Sequence, residues 1–164
     1  LSQEIEGNTE KSLNLCQGIP DPVTVVKVFY VWHQTASWDL LRVNSRADEL
    51  ELSGCVEKSF VKELRGWEEN SNHYYKCLEE SGPDQSEVCA QRYLKGKSAL
   101  DFDPIVCAQT TPETFSVRLK KQEGNKAEVE VREDFGRSIA SVLVELQKEG
   151  NQWLITKITC PSSE

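Results

Sequence analysis

Six cysteines constrain this chain more than any other feature. Cys16, Cys55, Cys77, Cys89, Cys107 and Cys160 are scattered along its length, and no two form a C-x-x-C pair. Zinc knuckles bring thiolates together at short spacing, usually with histidines nearby. Here there are two histidines, His33 and His73, and no knuckle. The pattern therefore reads as disulfides, which persist in oxidising compartments. Spacing alone leaves their connectivity open. The expected set is Cys77–Cys89 across a local turn, Cys16–Cys160 tying the ends, and Cys55–Cys107 joining a helix to a loop. Each bridge would stabilise the fold by about 2–4 kcal/mol, mainly by restricting the unfolded chain.

A length of 164 residues suits one domain with a sizeable core, to which four Trp, four Tyr and five Phe bring large side chains. A mean hydropathy of −0.53 and the lack of a long apolar run argue against a membrane span, which needs about 20 apolar residues. The formal charge of −8 argues against nucleic acid, because phosphate contact needs clustered Lys and Arg. The expected partner is a protein or a small ligand, with no cofactor and no metal. The chain starts at Leu1 and contains no methionine, which fits a mature export product whose signal has been removed. Membrane contact would come only through a lipidated cysteine standing before Leu1. No N-x-[ST] acceptor occurs, which favours a bacterial envelope over a glycosylating route. The expected location is periplasmic or secreted.

Residues 1–20 are polar and read as a lead-in; residues 21–160 read as a single α+β domain. Asp21 and Pro22 supply a cap and a first helical position. The run Val23 to His33 is rich in β-branched and aromatic residues, which favours strand on propensity. Its capping signals, and the helical spacing of Val25, Phe29, Trp32 and Ala36, favour a helix, and a helix is expected. Ser45 with Asp48 marks a short helix to Leu52. A longer helix is expected from Cys55 to Glu80, with Val56, Phe60, Leu64 and Trp67 in one stripe. Gly66 and Asn70-Ser71-Asn72 mark points where it could kink, and Gly82-Pro83 ends it. A short helix near Val88 to Leu94 follows. The last third alternates apolar and polar residues in four strands, Thr114 to Gln122, Ala127 to Arg132, Ile139 to Gln147 and Trp153 to Thr159. Turns at Gly124-Asn125, Phe135-Gly136 and Gly150-Asn151 make them an antiparallel meander. N-terminal helices would pack on this curved sheet, the α+β arrangement.

Catalytic motifs are scarce. Gly96-Lys97-Ser98 resembles the tail of a phosphate loop, but Gln91 stands where that loop needs glycine. His33 lies near Tyr30, Trp32 and Asp39 in the sequence, and a His–Asp pair could make a general base. Asp101 and Asp103 flank Phe102 before Pro104, a pattern that more often makes a turn than a calcium site. Asn72-His73-Tyr74-Tyr75 reads as a polar, aromatic contact patch on a helix surface. No catalytic residue is assigned.

Three segments together resemble a family. They are Val25-Val26-Lys27-Val28-Phe29-Tyr30-Val31-Trp32-His33, then Asp101-Phe102-Asp103-Pro104-Ile105-Val106-Cys107-Ala108-Gln109, then the hairpin Val142 to Leu146 with Trp153 to Ile158. In this order they resemble domain-of-unknown-function family 3828 of the bacterial envelope, which includes lipoproteins and is similar to the nuclear transport factor two fold. The resemblance spans roughly Pro22 to Thr159. It implies a cone in which a bent antiparallel sheet wraps the first helix, with a pocket between them. It brings no catalytic residues. Tyr30, His33, Asp103 and Gln109 would line the pocket, and His73, Tyr74 and Tyr75 are the candidates for partner contact.

The function expected from these features is non-catalytic binding in the envelope or periplasm, in one version an inhibitor or immunity-type protein that meets a basic partner. Two alternatives stand beside it. One is a small-molecule-binding or hydrolase- or isomerase-like enzyme using Tyr30, His33 and Asp103. The other is a structural lipoprotein domain with no pocket.

Overall fold

A computed structural model describes residues 12–161. Helices come first and a sheet second. Helix α1 spans Pro22–Thr35, α2 Trp38–Leu41, α3 Arg46–Ser53, α4 Lys58–Ser81 and α5 Ser86–Tyr93, with one 3₁₀ turn at Pro83–Gln85. Strands β1 (Thr114–Glu123), β2 (Lys126–Asp134), β3 (Ile139–Glu149) and β4 (Gln152–Thr159) pair in that order as an antiparallel meander.

Capping overrides strand propensity in α1. The Asp21 carboxylate accepts the Thr24 amide at 2.9 Å and Pro22 takes the first helical position. Val25, Val26, Phe29, Tyr30 and His33 then fall on one buried face. That face packs on the inner side of the sheet. Strand alternation turns Ala127, Val129 and Val131 of β2, Val142, Val144 and Leu146 of β3, and Trp153 and Ile155 of β4 toward the helix. Phe29 and Tyr30 are fully buried here. Leu119 of β1 is exposed at this outer edge of the sheet.

Ser45 caps α3 as its spacing implies, accepting the Asp48 amide at 3.1 Å. Glu68 of α4 takes the amides of Arg46 and Ala47 at 3.0 and 3.1 Å, so a neighbouring helix completes the cap. The long helix begins at Lys58 rather than Cys55. Cys55–Glu57 runs extended beside β4, where Val56 bridges Ile155 and the Cys55 carbonyl and Glu57 amide bond the Ile155 backbone. Neither Gly66 nor Asn70-Ser71-Asn72 breaks α4. Buried Ser71 accepts the Leu100 amide at 3.0 Å, which gives the helix a reason to carry a polar residue there. The four-residue α2 has no counterpart in the sequence reading.

Three disulfides close the chain, and one follows expectation. Cys77–Cys89 ties α4 to α5. The other two are Cys16–Cys55 and Cys107–Cys160, in place of the expected Cys16–Cys160 and Cys55–Cys107. Backbone bonds explain the exchange. The amides of Leu13 and Leu15 bond the carbonyls of Leu52 and Ser53 at 2.7 and 3.0 Å, which lays Cys16 beside Cys55 at the end of α3. The end of β4 carries Cys160 to the loop containing Pro104, beside Cys107. Three such bridges assign the chain to an oxidising, non-cytoplasmic compartment. Among the described residues no helix is long and apolar enough to cross a membrane.

Gly54, which ends α3, sits at φ +75°, and a side chain there would meet Ser12 and approach the Asn14 Cα at 3.0 Å. The left-handed backbone alone costs alanine about 1–2 kcal/mol. Gly54→Ala is expected to lower stability by about 2 kcal/mol or more, measured as a reduced urea midpoint with an unchanged m-value.

Candidate functional site

The polar centre of the molecule forms where the C-terminal end of α1 meets α3 and the Asp101–Gln109 loop. His33, one turn beyond Phe29 on the buried face of α1, lies between two carboxylates. Its Nδ1 donates to Glu49 Oε2 at 2.8 Å and its Nε2 donates to Asp103 Oδ2 at 2.7 Å. Arg46, one turn before Glu49 on α3, donates to Glu49 Oε1 at 2.6 Å and reaches Asp103 at 3.5 Å. The Arg46 guanidinium lies over the Trp38 ring at 4.7 Å, and the Trp38 indole N–H donates to Glu49 at 3.3 Å. Asp103 is steadied from below by the Ile105 amide at 2.9 Å, and the Tyr30 hydroxyl donates to the Ile105 carbonyl at 2.6 Å.

Burial works against a charge on His33, but the hydrogen bonds and charges of Asp103 and Glu49 outweigh it and raise its pKa to about 8. It is an imidazolium at neutral pH. Burial likewise pushes the Asp103 and Glu49 carboxyls up, and the bonds to His33 with the Arg46 charge overcome that push and hold both below the ordinary range. A third acid, Glu133, projects from the inner face of β2. It is fully buried, and neither carboxyl oxygen has a hydrogen-bond partner among the described residues. Burial, then the Asp103 charge, raise its pKa to about 8 against a smaller opposing pull from His33. Glu133 therefore keeps its proton at pH 7. Burial raises the Tyr30 phenol well above its usual value.

Two pockets meet at this centre. One of about 320 Å³ is lined by His33, Gln34, Trp38, Arg46, Asp103 and Thr111, among others. The other, of about 470 Å³, shares Trp38, Arg46 and Asp103 and extends to Asn72, Phe102 and Gln109. A larger groove of about 880 Å³ runs past Arg42, Asp48, Lys58 and Gln152 and touches none of the candidate residues.

The candidates named from sequence are thus partly assembled. His33 and Asp103 bond directly. Tyr30 lies one bond away through Ile105, but is fully buried. Gln109 is exposed, borders the second pocket and donates to the Asp101 carbonyl at 3.4 Å. Asp39, the acid nearest His33 in sequence, is exposed on α2, and His33 takes Glu49 and Asp103 in its place. His73, Tyr74 and Tyr75 sit on α4 and line neither pocket. The His73 ring stacks on Tyr93 at 5.6 Å, and Tyr74 meets Tyr75 edge-on at 5.3 Å. Gly96-Lys97-Ser98 follows α5 in a turn, with Lys97 over the Trp67 ring, so no strand leads into it.

No known protein family, curated protein or solved structure matches this chain.

The residues missed by sequence reading are Trp38, Arg46, Glu49 and Glu133. Glu133 left a signal, because it continues the inward parity of Ala127, Val129 and Val131. An acid on an apolar register is the residue to question. Glu49 and Arg46 left a weaker one, as an i,i+3 pair on a capped helix.

The titrations set a pH profile. His33 has a raised folded pKa, so its contribution is complete below the unfolded value near 6.5 and is lost as pH rises through about 8. Glu133 is also raised, so the unfolded chain gives up this proton first, and stability falls from about pH 4.5 until the folded group ionises near 8. Glu49, Asp48 and Asp103 are lowered, so their contributions are lost on acidification. Stability is expected to peak near pH 5, and His33 alone accounts for a fall of about 2 kcal/mol by pH 9. Urea unfolding at a series of pH values measures it; a flat profile between pH 6 and 9 contradicts it.

Proposed function

We propose that this chain is a non-catalytic binding protein of the bacterial envelope or periplasm, of inhibitor or immunity type, that meets a protein partner. The observation that supports this most is the engagement of His33. Both ring nitrogens of the best acid–base candidate are held by carboxylates, and a general base needs a free nitrogen within reach of a substrate proton. The three disulfides fit export, and the acidic surface suits a basic partner, since complementary charge speeds encounter.

The partner-facing surface in this reading is the helical face carrying His73, Tyr74 and Tyr75. Tyr75 is 42% exposed and Val88 on the adjoining α5 is 48% exposed. Aromatic groups of this kind anchor interfaces. The disulfide-intact protein, immobilised and exposed to envelope extract, is expected to retain one stoichiometric partner that elutes with salt. The variant His73→Ala/Tyr75→Ala should lose it. Retention unchanged by that variant, or no retained partner and no protection against a delivered toxin, counts against the reading.

A second reading, a small hydrolase or isomerase, draws on the direct His33–Asp103 bond beside an open pocket. Turnover of ester or ketone substrates by the purified protein, abolished in His33→Gln and retained in His73→Ala/Tyr75→Ala, would support it in place of the first.

A further inference from the structure

The unexplained group in this molecule is Glu133. Three carboxyls, Glu49, Asp103 and Glu133, converge from α3, the Asp101–Gln109 loop and β2, and two cations face them, His33 from α1 and Arg46 from α3. Glu49 and Asp103 engage both cations. Glu133 is fully buried with no donor at either oxygen among the described residues, beside the phenol of Tyr30 and within reach of the Asp103 charge. An ionised carboxylate in that position would be unpaired and desolvated, an arrangement of high cost. The cluster is electrically balanced only when Glu133 carries a proton and His33 carries two.

Asp103 is where this balance acts on the fold. Its carboxylate is the grip of the Asp101–Gln109 loop on α1. The other holds on the loop are the Tyr30–Ile105 bond, the internal turn bonds between Asp103 and residues 107 and 108, the packing of Phe102 on Trp67, and the Cys107–Cys160 bridge. The bridge and the buried side chains of Ile105 and Val106 fix the far part of the loop, and its near end, Asp101–Pro104, is held by the ion pairs of Asp103 and the packing of Phe102. That near end, with Trp38 and Arg46, stands between the pockets of about 320 and 470 Å³.

We propose that Glu133, His33, Glu49 and Asp103 form a proton-operated latch, in which the proton on Glu133 lets Asp103 close the loop onto α1, and loss of that proton releases the near end of the loop and joins the two pockets. Two events act in the same direction. Ionised Glu133 repels Asp103, and neutral His33 can donate to only one of its two carboxylates. The latch does not depend on what the protein binds, and its test uses the isolated protein.

The measurement is a carbon-13 NMR titration of the glutamate side-chain carboxyls, paired with amide hydrogen exchange, on the disulfide-intact chain from pH 5 to 9.5. The Glu133 carboxyl is expected to titrate near pH 8. Protection of the amides of residues 101–106, corrected for intrinsic exchange, is expected to fall about tenfold or more between pH 6 and 9 while that of β2 and β3 holds. In Glu133→Gln, which keeps the shape and removes the titration, the fall should be at least about threefold smaller, the remainder being the share of His33. A Glu133 midpoint in the ordinary carboxylate range overturns the latch. So does an alkaline loss of protection equal in Glu133→Gln and the unaltered protein. Should the variant fail to fold, the titration of the unaltered chain decides the matter alone.

Discussion

Replacing His33 by alanine is expected to destabilise the protein by about 3–5 kcal/mol at pH 6, the cost of leaving buried carboxylates without their counter-charge. The site explains why the effect is so large for a single side chain. His33 serves Glu49 and Asp103 at once, at 2.8 and 2.7 Å, and Glu49 is fully buried. After the change Arg46 alone faces two carboxylates, and it lies 3.5 Å from Asp103. Adding Asp103→Asn removes one of the stranded charges, so the double variant should lose clearly less than the sum of the single losses. Urea unfolding of the four proteins forms the cycle. A loss in His33→Ala below about 1 kcal/mol would mean that the carboxylates reach solvent and that the cluster is not the closed unit described.

The second large effect concerns the bridges. Cys107–Cys160 closes 53 residues, Cys16–Cys55 closes 39 and Cys77–Cys89 closes 12. On chain entropy, removal costs about 4 kcal/mol for each of the first two and about 3 for the third. Structure sharpens that ranking. Cys107–Cys160 fixes the loop that presents Asp103 to His33, so Cys107→Ser/Cys160→Ser also weakens the ionic grip. Cys77–Cys89 joins two surface helices and leaves the α1–sheet core alone. Thermal unfolding of the three double-serine variants is expected to place Cys107→Ser/Cys160→Ser lowest and Cys77→Ser/Cys89→Ser highest. Losses of this size are a large part of the roughly 5–15 kcal/mol that holds a domain folded.

Legibility in the sequence followed the range of the forces involved. The strands were readable because alternation is local. Ala127, Val129 and Val131 announce β2 and its inward face, and glycine turns punctuate the meander. Helix α1 was readable because Asp21 and Pro22 act within one turn. The start of α4 was missed because Cys55–Glu57 answers to β4, about a hundred residues away, rather than to its own helical pattern. The partners of His33 lie 16 and 70 positions off, while the nearby Asp39 faces solvent, so proximity along the chain pointed to the wrong acid. The long bridges were misassigned for the same reason. Cys16 is placed by backbone bonds to the end of α3, which no spacing rule anticipates. Glu133 could have been read, since parity put an acid among valines, and its meaning came only with Asp103 beside it.

Covalent closure outside the reducing cytosol is what holds this fold shut. Peptide mapping by mass spectrometry of native protein, alkylated at once and digested without reduction, tests it most directly. The predicted result is three linked peptides, joining Cys16 to Cys55, Cys77 to Cys89 and Cys107 to Cys160, with no alkylated cysteine. Alkylation at all six positions, or a peptide joining Cys16 to Cys160, would contradict it.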